Sequence, residues 1–332
     1  MNGSHPVPIT SCDAEPAPRI LVIFNPVAGW RRRRRLDRAL ARLGKLGFIV
    51  DLEATSGRGD AERIARRAAG TGWHAIAVAG GDGTLNEVVN GLAPGAPPLL
   101  VLALGTANVL AGEIGLDRVG DTGAQAALAC EGAVARIRPG LANGRMFLMM
   151  AGVGFDAHVV RHVDPRTKRR LGKLAYVLQA IREAFRFTYP RYRITVDGVA
   201  HEAASVIVAK GRRYGGRHIV APAADLAGDR FEVCLFEDTG PLAVLRYGLA
   251  LLLGRLPRAR GYRIVSGREV AIDGPPGDPV QADGDIIATL PVRITVAART
   301  IDMLVPPATT SGTFAGSRQA PSSFETRPGG RP

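Results

Sequence analysis

The first part of the chain alternates between short apolar runs and amphipathic segments. Residues 19–24 (Arg-Ile-Leu-Val-Ile-Phe) form a nearly continuous apolar run, which is typical of a strand buried in a parallel sheet. Similar strands are predicted at 48–54, 74–79 and 99–103, and helices at 35–46, 60–69, 84–92, 107–114 and 125–131. This alternation predicts an α/β domain with a Rossmann-like parallel sheet that is covered by helices on both faces.

The second part of the chain has the shorter period of β structure. Strands are predicted at 133–138, 146–151, 191–196, 204–209, 231–236, 263–265, 269–272, 286–289 and 292–296. Turn signals such as Asp197-Gly198 and Asp273-Gly274 separate them. A mostly antiparallel β-sandwich domain follows from this pattern. One helix is predicted at 171–187, and its apolar residues share one face: Leu171, Leu174, Ala175, Leu178, Ile181 and Phe185.

Composition and charge bear on where the protein is located and on which partners it could bind. The chain has 332 residues, and no apolar run reaches the roughly 20 residues of a membrane span. The Pro-rich residues 1–17 and the polar tail 307–332 are expected to be disordered, and we expect no signal peptide. Three dispersed cysteines indicate neither a disulfide framework nor a cysteine zinc site, which favours a cytoplasmic protein. The net charge of +13 suits nucleic acid, anionic lipid or phosphorylated molecules alike.

A glycine-rich segment lies between a predicted strand and a predicted helix. It reads Gly80, Gly81, Asp82, Gly83, Thr84, Leu85, Asn86. Glycines let the backbone approach a polyphosphate closely and adopt positive φ, and the N-terminus of the next helix offers N–H groups to an anion. Asp82 fits a magnesium ligand or a proton acceptor, or alternatively a helix N-cap in a tight turn. The strand–helix setting favours a phosphate-binding loop.

Three further loops follow predicted strands and open on the same edge of the sheet. They contain Asn25-Pro26-Val27-Ala28-Gly29, Thr55, and Gly105-Thr106-Ala107-Asn108. Ligands of open parallel sheets bind where the carboxyl ends of the strands meet. Convergence of several loops therefore predicts a nucleotide crevice, in which Thr106 either bonds a phosphate or caps the next helix. The arginines at 31–35 offer one or two phosphate contacts and otherwise form a solvated face.

These motifs, in this order, resemble the diacylglycerol kinase catalytic-domain superfamily, which includes soluble bacterial lipid kinases and the sphingosine and ceramide kinases. The resemblance spans about residues 19–305. It implies an ATP-binding domain (18–136), a β-rich lipid-acceptor domain (137–296), a segment (297–306) that returns to the first domain, and a site in the cleft between them. The ATP contacts that it implies are Asn25, Pro26, Val27, Ala28, Gly29, Thr55, Gly80, Gly81, Asp82, Gly83, Thr84, Leu85, Asn86 and Thr106.

The resemblance also implies catalytic carboxylates. Besides Asp82, the family has a late Asp-Gly-Glu, which here is Asp283-Gly284-Asp285 with a side chain one methylene shorter, and either aspartate would be the base. Asp156, within a family-like Gly-x-Gly-x-Asp-Ala, would lie near the acceptor or cap the next helix. The family's Asp-Gly, which holds a structural magnesium in some members, is transposed here to Gly228-Asp229. This leaves Asp225 and Asp229 as candidate metal ligands.

The expected reaction is in-line transfer of the γ-phosphate of ATP, with Mg²⁺ bridging phosphate oxygens and a carboxylate removing the proton of the acceptor hydroxyl. Diacylglycerol, ceramide, a sphingoid base and phosphatidylglycerol all stay open as acceptors. The segments 171–187 and 242–256 would flank an apolar slot. A basic cluster would meet anionic headgroups at a membrane surface, or else be a solvated loop: Arg161, Arg166, Lys168, Arg169, Arg170 and Lys173.

Three other functions remain as alternatives. NAD kinase shares a Gly-Gly-Asp-Gly-Thr motif, although Asn25-Pro26-x-x-Gly and the Leu-Asn-Glu-Val-Val-Asn-Gly at 85–91 look like the lipid kinases. A nucleotide-binding regulator without catalysis would explain the shortened Asp285. DNA binding has only the charge in its favour, because no recognition motif is present, so we expect no nucleic-acid partner. The expected association with membranes is transient, and a homodimer is compatible with the sequence.

Overall fold

The computed structural model describes residues 17–28, 30–163 and 173–307. The strands of the first domain are β1 Arg19–Phe24, β2 Ile49–Ala54, β3 Ala75–Gly80, β4 Leu99–Ala103, β5 Ala133–Ile137 and, from the end of the chain, β20 Ile301–Val305. They form one sheet in the order β2-β1-β3-β4-β20-β5, parallel except for β5 against β20. The predicted parallel sheet is confirmed, with one antiparallel strand at its edge.

Helices cover this sheet. They are α1 Trp30–Lys45, α2 Asp60–Arg67, α3 Asp82–Gly91, α4 Val109–Glu113 and α5 Thr122–Glu131. Three of them begin earlier than predicted. The helix α1 begins at Trp30 and not at residue 35, α3 begins early because Gly81 is its N-cap, and α5 does so because the Asp121 side chain accepts two N–H bonds of its first turn. The helix α4 is shorter than predicted because Asn108, at φ 46°, is its N-cap.

The second domain is a sandwich of two antiparallel sheets. Its strands are β6 Gly140–Ala142, β7 Arg145–Phe147, β8 Met150–Val153, β9 Tyr192–Val196, β10 Val199–Ala203, β11 Ser205–Ala209, β12 Arg213–Tyr214, β13 His218–Ile219, β14 Phe231–Phe236, β15 Tyr262–Gly267, β16 Glu269–Asp273, β17 Pro279–Ala282, β18 Asp285–Thr289 and β19 Val292–Val296. The sheet orders are β10-β9-β16-β19-β6-β7 and β15-β14-β11-β8-β17-β18, and β12 and β13 form a separate hairpin. Buried residues such as Phe147, Tyr192 and Phe231 fill the space between the sheets.

Three helices belong to this domain in the part of the chain that the structure describes: α6 Phe155–His162, α7 Lys173–Arg186 and α8 Pro241–Leu252. None of the helices within the described ranges is both long and apolar enough to cross a bilayer. The single strand predicted at 146–151 is two strands, β7 and β8, in different sheets. The chain changes sheets at Leu148 and Met149 because the N–H groups of 148–150 turn toward one carboxylate, that of Asp283.

Charged contacts join the two domains on either side of the cleft. Arg145 of β7 pairs with Glu62 of α2 at 3.0 Å. Arg212, next to β12, pairs at 3.0 Å with Glu113 of α4, whose side chain is fully buried. A buried carboxylate is stable only when it is paired in this way. The domains therefore hold a defined relative position at the cleft.

Candidate active site

Glycines at the ends of β3 and β4 let two backbones touch. The Gly80 carbonyl accepts a 2.9 Å bond from the Gly105 N–H. A Cβ on Gly105 would lie 2.5 Å from the Cα of Gly81, and one on Gly80 would lie 2.6 Å from the side chain of Thr84. The motif glycines, all within the described part of the chain, do not have positive φ. Close approach, and not the positive φ allowed by the sequence, is therefore what requires them.

The first turn of α3 is fixed to the loop that follows β1. Asn25 donates from Nδ2 to Thr84 Oγ1 at 3.0 Å, and its Oδ1 accepts the N–H of Val27 at 3.1 Å. These bonds shape the short 3₁₀ turn 26–28, in which Val27 is 64% exposed. The loop after β1 and the glycine loop after β3 thus meet at one edge, as the sequence predicted.

The other predicted nucleotide contacts near β1 and β2 differ in their exposure. Thr55 is buried, and its N–H donates to the Phe24 carbonyl at 2.8 Å. Pro26 is exposed at the edge. Of Ala28 only the backbone is described, and Gly29 lies outside the described residues. Thr55 therefore supports the loop after β1 from within the fold.

Asp82 connects α3 to α4. Its two carboxylate oxygens accept the N–H groups of Val109 at 3.1 Å and Leu110 at 3.2 Å. A negative charge at a helix N-terminus is favourable, so this carboxylate holds α4 and the preceding loop against the glycine loop. Thr106 in that loop is exposed and accepts a 2.8 Å bond from Arg32 of α1. The guanidinium group thus lies at the edge where the sequence predicted a phosphate contact.

Asp283 occupies the first position of a tight turn between β17 and β18. Its φ is 50°, and Gly284 follows at φ 87°, as in a two-residue hairpin. Its carboxylate accepts the N–H groups of Leu148, Met149 and Met150 at 2.7, 2.9 and 3.1 Å, and the amide of Asn86 at 3.0 Å. Burial raises the pKa of Asp283 above its ordinary value, and the hydrogen bonds from these four donors oppose this rise. All four can only donate, so the carboxylate is held ionised and joins the two domains.

Asp285, two residues later, faces the other way. A Cβ added to Gly83 would lie 3.3 Å from Asp285 Oδ2, so this carboxylate of the second domain stands over the glycine loop of the first. The side chain is partly exposed, and across the described ranges no residue hydrogen-bonds it. Of the two carboxylates of the Asp-Gly-Asp turn, one is saturated with donors and the other is available.

A partly buried polar network supports the turn on the side away from the glycine loop. Asp156 accepts hydrogen bonds from the Tyr214 hydroxyl and, at 2.6 Å, from Gln281 Nε2, and Gln281 Oε1 accepts the N–H of Gly284 at 3.0 Å. Burial raises the pKa of Asp156, while the two bonds lower it. A Cβ at Gly152 would lie 2.6 Å from Asp156, so that glycine makes room for the network. Asp156 therefore positions the turn through Gln281.

The helix α3 carries the glycine loop to the second domain. Asn86 donates to the Met146 carbonyl at 3.0 Å, and Asn90, one turn later, exchanges bonds of 2.9 and 3.1 Å with the Met146 N–H and carbonyl. Arg299 donates to the carbonyls of Val89 and Leu92 at the C-terminus of α3. A cation there is favourable. The Leu-Asn-Glu-Val-Val-Asn-Gly run is thus a docking surface, with the two asparagines on one face.

The predicted metal ligands Asp225 and Asp229 are already engaged. Asp225 accepts the N–H of Ala227 at 2.9 Å, and Asp229 pairs with Arg268 at the surface. The fully buried Lys210 sends its ammonium group to the Gly228 carbonyl at 2.6 Å. Burial lowers the pKa of Lys210 to about 8. A lysine cation therefore serves this loop, and these contacts do not favour a divalent metal there.

Sequence reasoning missed several residues of the site: Asn90, Tyr214, Gln281 and Arg299. Each contacts a residue at least 50 positions away, except that Asn90 also bonds Asn86. The i, i+4 spacing of Asn86 and Asn90 was the one local signal.

Of the predicted basic cluster, the structure describes Arg161, which is exposed, and the backbone of Lys173. Arg166, Lys168, Arg169 and Arg170 lie outside the described residues.

The apolar faces of α7 and α8 point to solvent. The two helices contact each other. Their exposed apolar residues and Leu253, the C-cap of α8, form the α7–α8 face: Val177, Leu178, Ile181, Phe185, Leu242, Leu245, Leu249, Leu252 and Leu253. Phe185 is 78% exposed and Leu242 is 81% exposed. The helix predicted at 171–187 is present, but in its described part the apolar face is not turned toward the core.

Known proteins resemble this chain along both domains. A model of the diacylglycerol kinase catalytic domain matches residues 19–142, and a model of the YegS C-terminal NAD kinase beta sandwich-like domain matches residues 149–305. Diacylglycerol kinases of Bacillus subtilis and Staphylococcus aureus are each 28% identical over 87% of this chain, and over 96% and 92% of their own lengths. The crystal structure of a diacylglycerol kinase from Bacillus anthracis is 26% identical, with a TM-score of 0.72 over 88% of this chain and 98% of that chain.

Proposed function

Because the chain belongs to the diacylglycerol kinase catalytic-domain superfamily, we propose that it transfers the γ-phosphate of ATP to the hydroxyl group of a membrane lipid. The observation that carries this proposal is the position of Asp285 over Gly83. This position places an available carboxylate of the second domain against the glycine loop of the first domain, which is a loop of the phosphate-binding type. A reaction between a nucleotide held by the first domain and an acceptor held by the second needs this arrangement.

The first domain would bind the nucleotide. The loops that contain Asn25, Gly80 to Gly83 and Thr106 meet at the N-terminus of α3, where backbone N–H groups and the helix dipole favour phosphate. Arg32 adds a positive charge on the same edge. Mg²⁺ bound with ATP would neutralise part of the phosphate charge. Asp285, an oxygen donor not bonded by any described residue, fits contact with such a hard cation or with a proton.

The second domain would supply the base. In the proposed step the acceptor hydroxyl oxygen bonds to the γ-phosphorus, the bond to the β-phosphate oxygen breaks, and the hydroxyl proton passes to Asp285. Asp283 is the positioning residue, because its four donors hold it ionised in place and leave none of its oxygens free. Asp82 is likewise a positioning residue, which keeps the two phosphate-side loops together.

The α7–α8 face favours a lipid as the acceptor. A contiguous exposed apolar surface of this kind marks an interaction site. The segment 241–260 contains no carboxylate and has four exposed arginines, of which Arg246 pairs with Asp238 outside the segment: Arg246, Arg255, Arg258 and Arg260. This excess of positive charge suits an anionic bilayer surface. We propose that this face rests transiently on the membrane that carries the substrate, with diacylglycerol, ceramide or a sphingoid base as candidate acceptors.

NAD is the second candidate acceptor, because the model that matches 149–305 is described as an NAD kinase-like sandwich. Transfer of label from γ-labelled ATP and Mg²⁺ into a panel of lipids in mixed micelles, with NAD in a parallel reaction, separates the two. Label in a lipid, lost in Asp285→Asn, supports the proposal. Label in NAD alone overturns the lipid assignment, and label in no acceptor supports a nucleotide-binding protein without catalysis.

A further inference from the structure

Two helices of the second domain bring nitrogen and oxygen donors together away from the cleft. His158 and His162 are four residues apart in α6 and therefore share a helix face. Glu183 reaches them from α7, which packs against α6. One donor atom of each residue lies within 4.8 Å of the other two. We propose that these three side chains bind one divalent transition-metal ion, best fitted by Zn²⁺, which fastens α6 to α7.

The donor set has the chemistry that zinc prefers. Two imidazoles and a carboxylate, completed by water, are a common zinc environment, with metal–ligand distances of about 2.0–2.2 Å. Such distances in a tetrahedron put donor atoms about 3.4 Å apart. The side chain of His162 is 48% exposed, so it can shift toward Glu183, whose side chain is only 7% exposed. Mg²⁺ and Ca²⁺, which prefer oxygen ligands, are excluded by the two histidines.

A second observation points to a ligand at this place. The Nε2 atom of His158 is buried, and no described residue hydrogen-bonds it. The nearest carboxylate oxygen, Oδ1 of Asp278, is 3.8 Å away, which is too far for a hydrogen bond. The ring of Phe187 packs on the imidazole at 4.6 Å between centroids and covers part of it, and the whole side chain is 20% exposed. A buried nitrogen without a partner costs free energy, which a metal ion would recover.

Neighbouring groups already orient the ligands. Glu183 Oε1 accepts a 2.9 Å bond from Gln179, one helical turn earlier. His162 Nδ1 lies 2.9 Å from the His158 carbonyl oxygen, to which it donates in one of its tautomers. Outer bonds of this type fix ring orientation and tautomer in metal sites. The cluster therefore resembles a prepared site more than a chance meeting of polar side chains.

The metal would act on the geometry of the acceptor domain. The helix α6 begins beside Asp156, which supports the Asp283–Asp285 turn through Gln281. The helix α7 carries half of the α7–α8 face. A metal between them would hold the turn and the face in a fixed relation. Metal binding itself does not depend on kinase activity, so it can be tested without nucleotide or lipid.

The test is a Zn²⁺ titration of the full chain, freed of metal by EDTA and desalting, against a chromophoric zinc chelator. We expect one tightly bound Zn²⁺ per chain and a higher Tm with zinc. His158→Gln and Glu183→Gln should each weaken binding at least about tenfold. Two control variants should bind as the parent does: His218→Gln in β13, and Cys130→Ser, which removes an exposed thiol.

His162→Gln guards against loss of folding, because this side chain is half exposed. It should keep the parent Tm without zinc, lose the rise in Tm with zinc, and lose one imidazole nitrogen from the X-ray absorption spectrum of the zinc complex. Parent chain that binds no zinc, or a His158→Gln/His162→Gln double variant that binds it unchanged, overturns the proposal.

Discussion

The glycine loop of the first domain and the Asp283–Asp285 turn of the second face each other across the cleft, yet they are built in opposite ways. The loop works through missing side chains, since a Cβ on Gly105 would strike the backbone at Gly81. The turn works through two identical side chains whose neighbours make them different. Asp283 accepts four N–H bonds, and Asp285 accepts none from the described residues. In the glycine loop the absence of side chains determines the role of each residue, whereas in the turn the hydrogen-bond donors around each aspartate determine its role.

The largest effect is expected from replacing each of the two aspartates of the turn separately. Asp285→Asn should lower kcat by about 10²–10⁴, the usual contribution of a general base, with Tm unchanged. Asp283→Asn should lower Tm as well, because a carboxamide NH₂ would face N–H donors in a buried place. Asp285→Glu restores a carboxylate and should keep much of the activity. Label transfer and thermal unfolding by circular dichroism measure the two effects.

Asp273→Asn is the control for these variants, because Asp273 is an exposed aspartate at the end of β16 in the same domain. It should change neither kcat nor Tm. The assignment of Asp285 as base is wrong if Asp285→Asn keeps more than about a tenth of the parent kcat under saturating substrates. Equal loss of Tm in both turn variants would contradict the difference drawn between the two carboxylates.

The same contrast explains how much the sequence could predict. The glycine loop was visible because strand, glycines and helix follow one another within a short stretch, and the crevice formed by the loops after β1, β3 and β4 followed from strand order. The turn looked like any hairpin, because its meaning comes from donors more than 130 positions away at Leu148 to Met150. Hydrophobic periodicity found the helix α7 but carries no information on whether its apolar face meets a core or solvent.

The backbone contact of the glycine loop can be broken with one methyl group. Gly105→Ala should destabilise the protein by about 1–3 kcal/mol, the usual cost of overpacking, and weaken ATP binding because the loop must shift. Gly44→Ala is the matched control: it lies in α1 with no atom near its Cβ position, and should stabilise by about 0.5–1 kcal/mol. Urea unfolding gives both free energies, and a neutral Gly105→Ala would remove close approach as the reason for the motif.

Lys210 extends the comparison to the opposite charge. Whereas Asp283 is a partly buried anion held by N–H groups, Lys210 is a buried cation held by carbonyls. Its folded pKa of about 8 lies below the ordinary 10.5, so the unfolded chain binds more protons between these values. Stability relative to Lys210→Met should therefore rise as pH increases from about 8 to 10.5, by at most about 1.4 kcal/mol per pH unit. Urea unfolding of both proteins across this window measures it. A difference independent of pH would contradict burial as the cause.

The smallest effect is expected outside the cleft, where neither the loop nor the turn is touched. Leu245→Glu in the α7–α8 face should weaken binding to vesicles containing phosphatidylglycerol about tenfold, because a buried leucine side chain contributes roughly 1.5–3 kcal/mol and a carboxylate is repelled by anionic lipid. Val199→Glu, at an exposed apolar position in β10, is the control and should bind as the parent does. Turnover of a short-chain lipid in solution should be the same in all three proteins, because the loop and the turn are unchanged. Vesicle sedimentation measures the binding; if Leu245→Glu and Val199→Glu weaken it equally, net charge and not the apolar face holds the protein to the membrane.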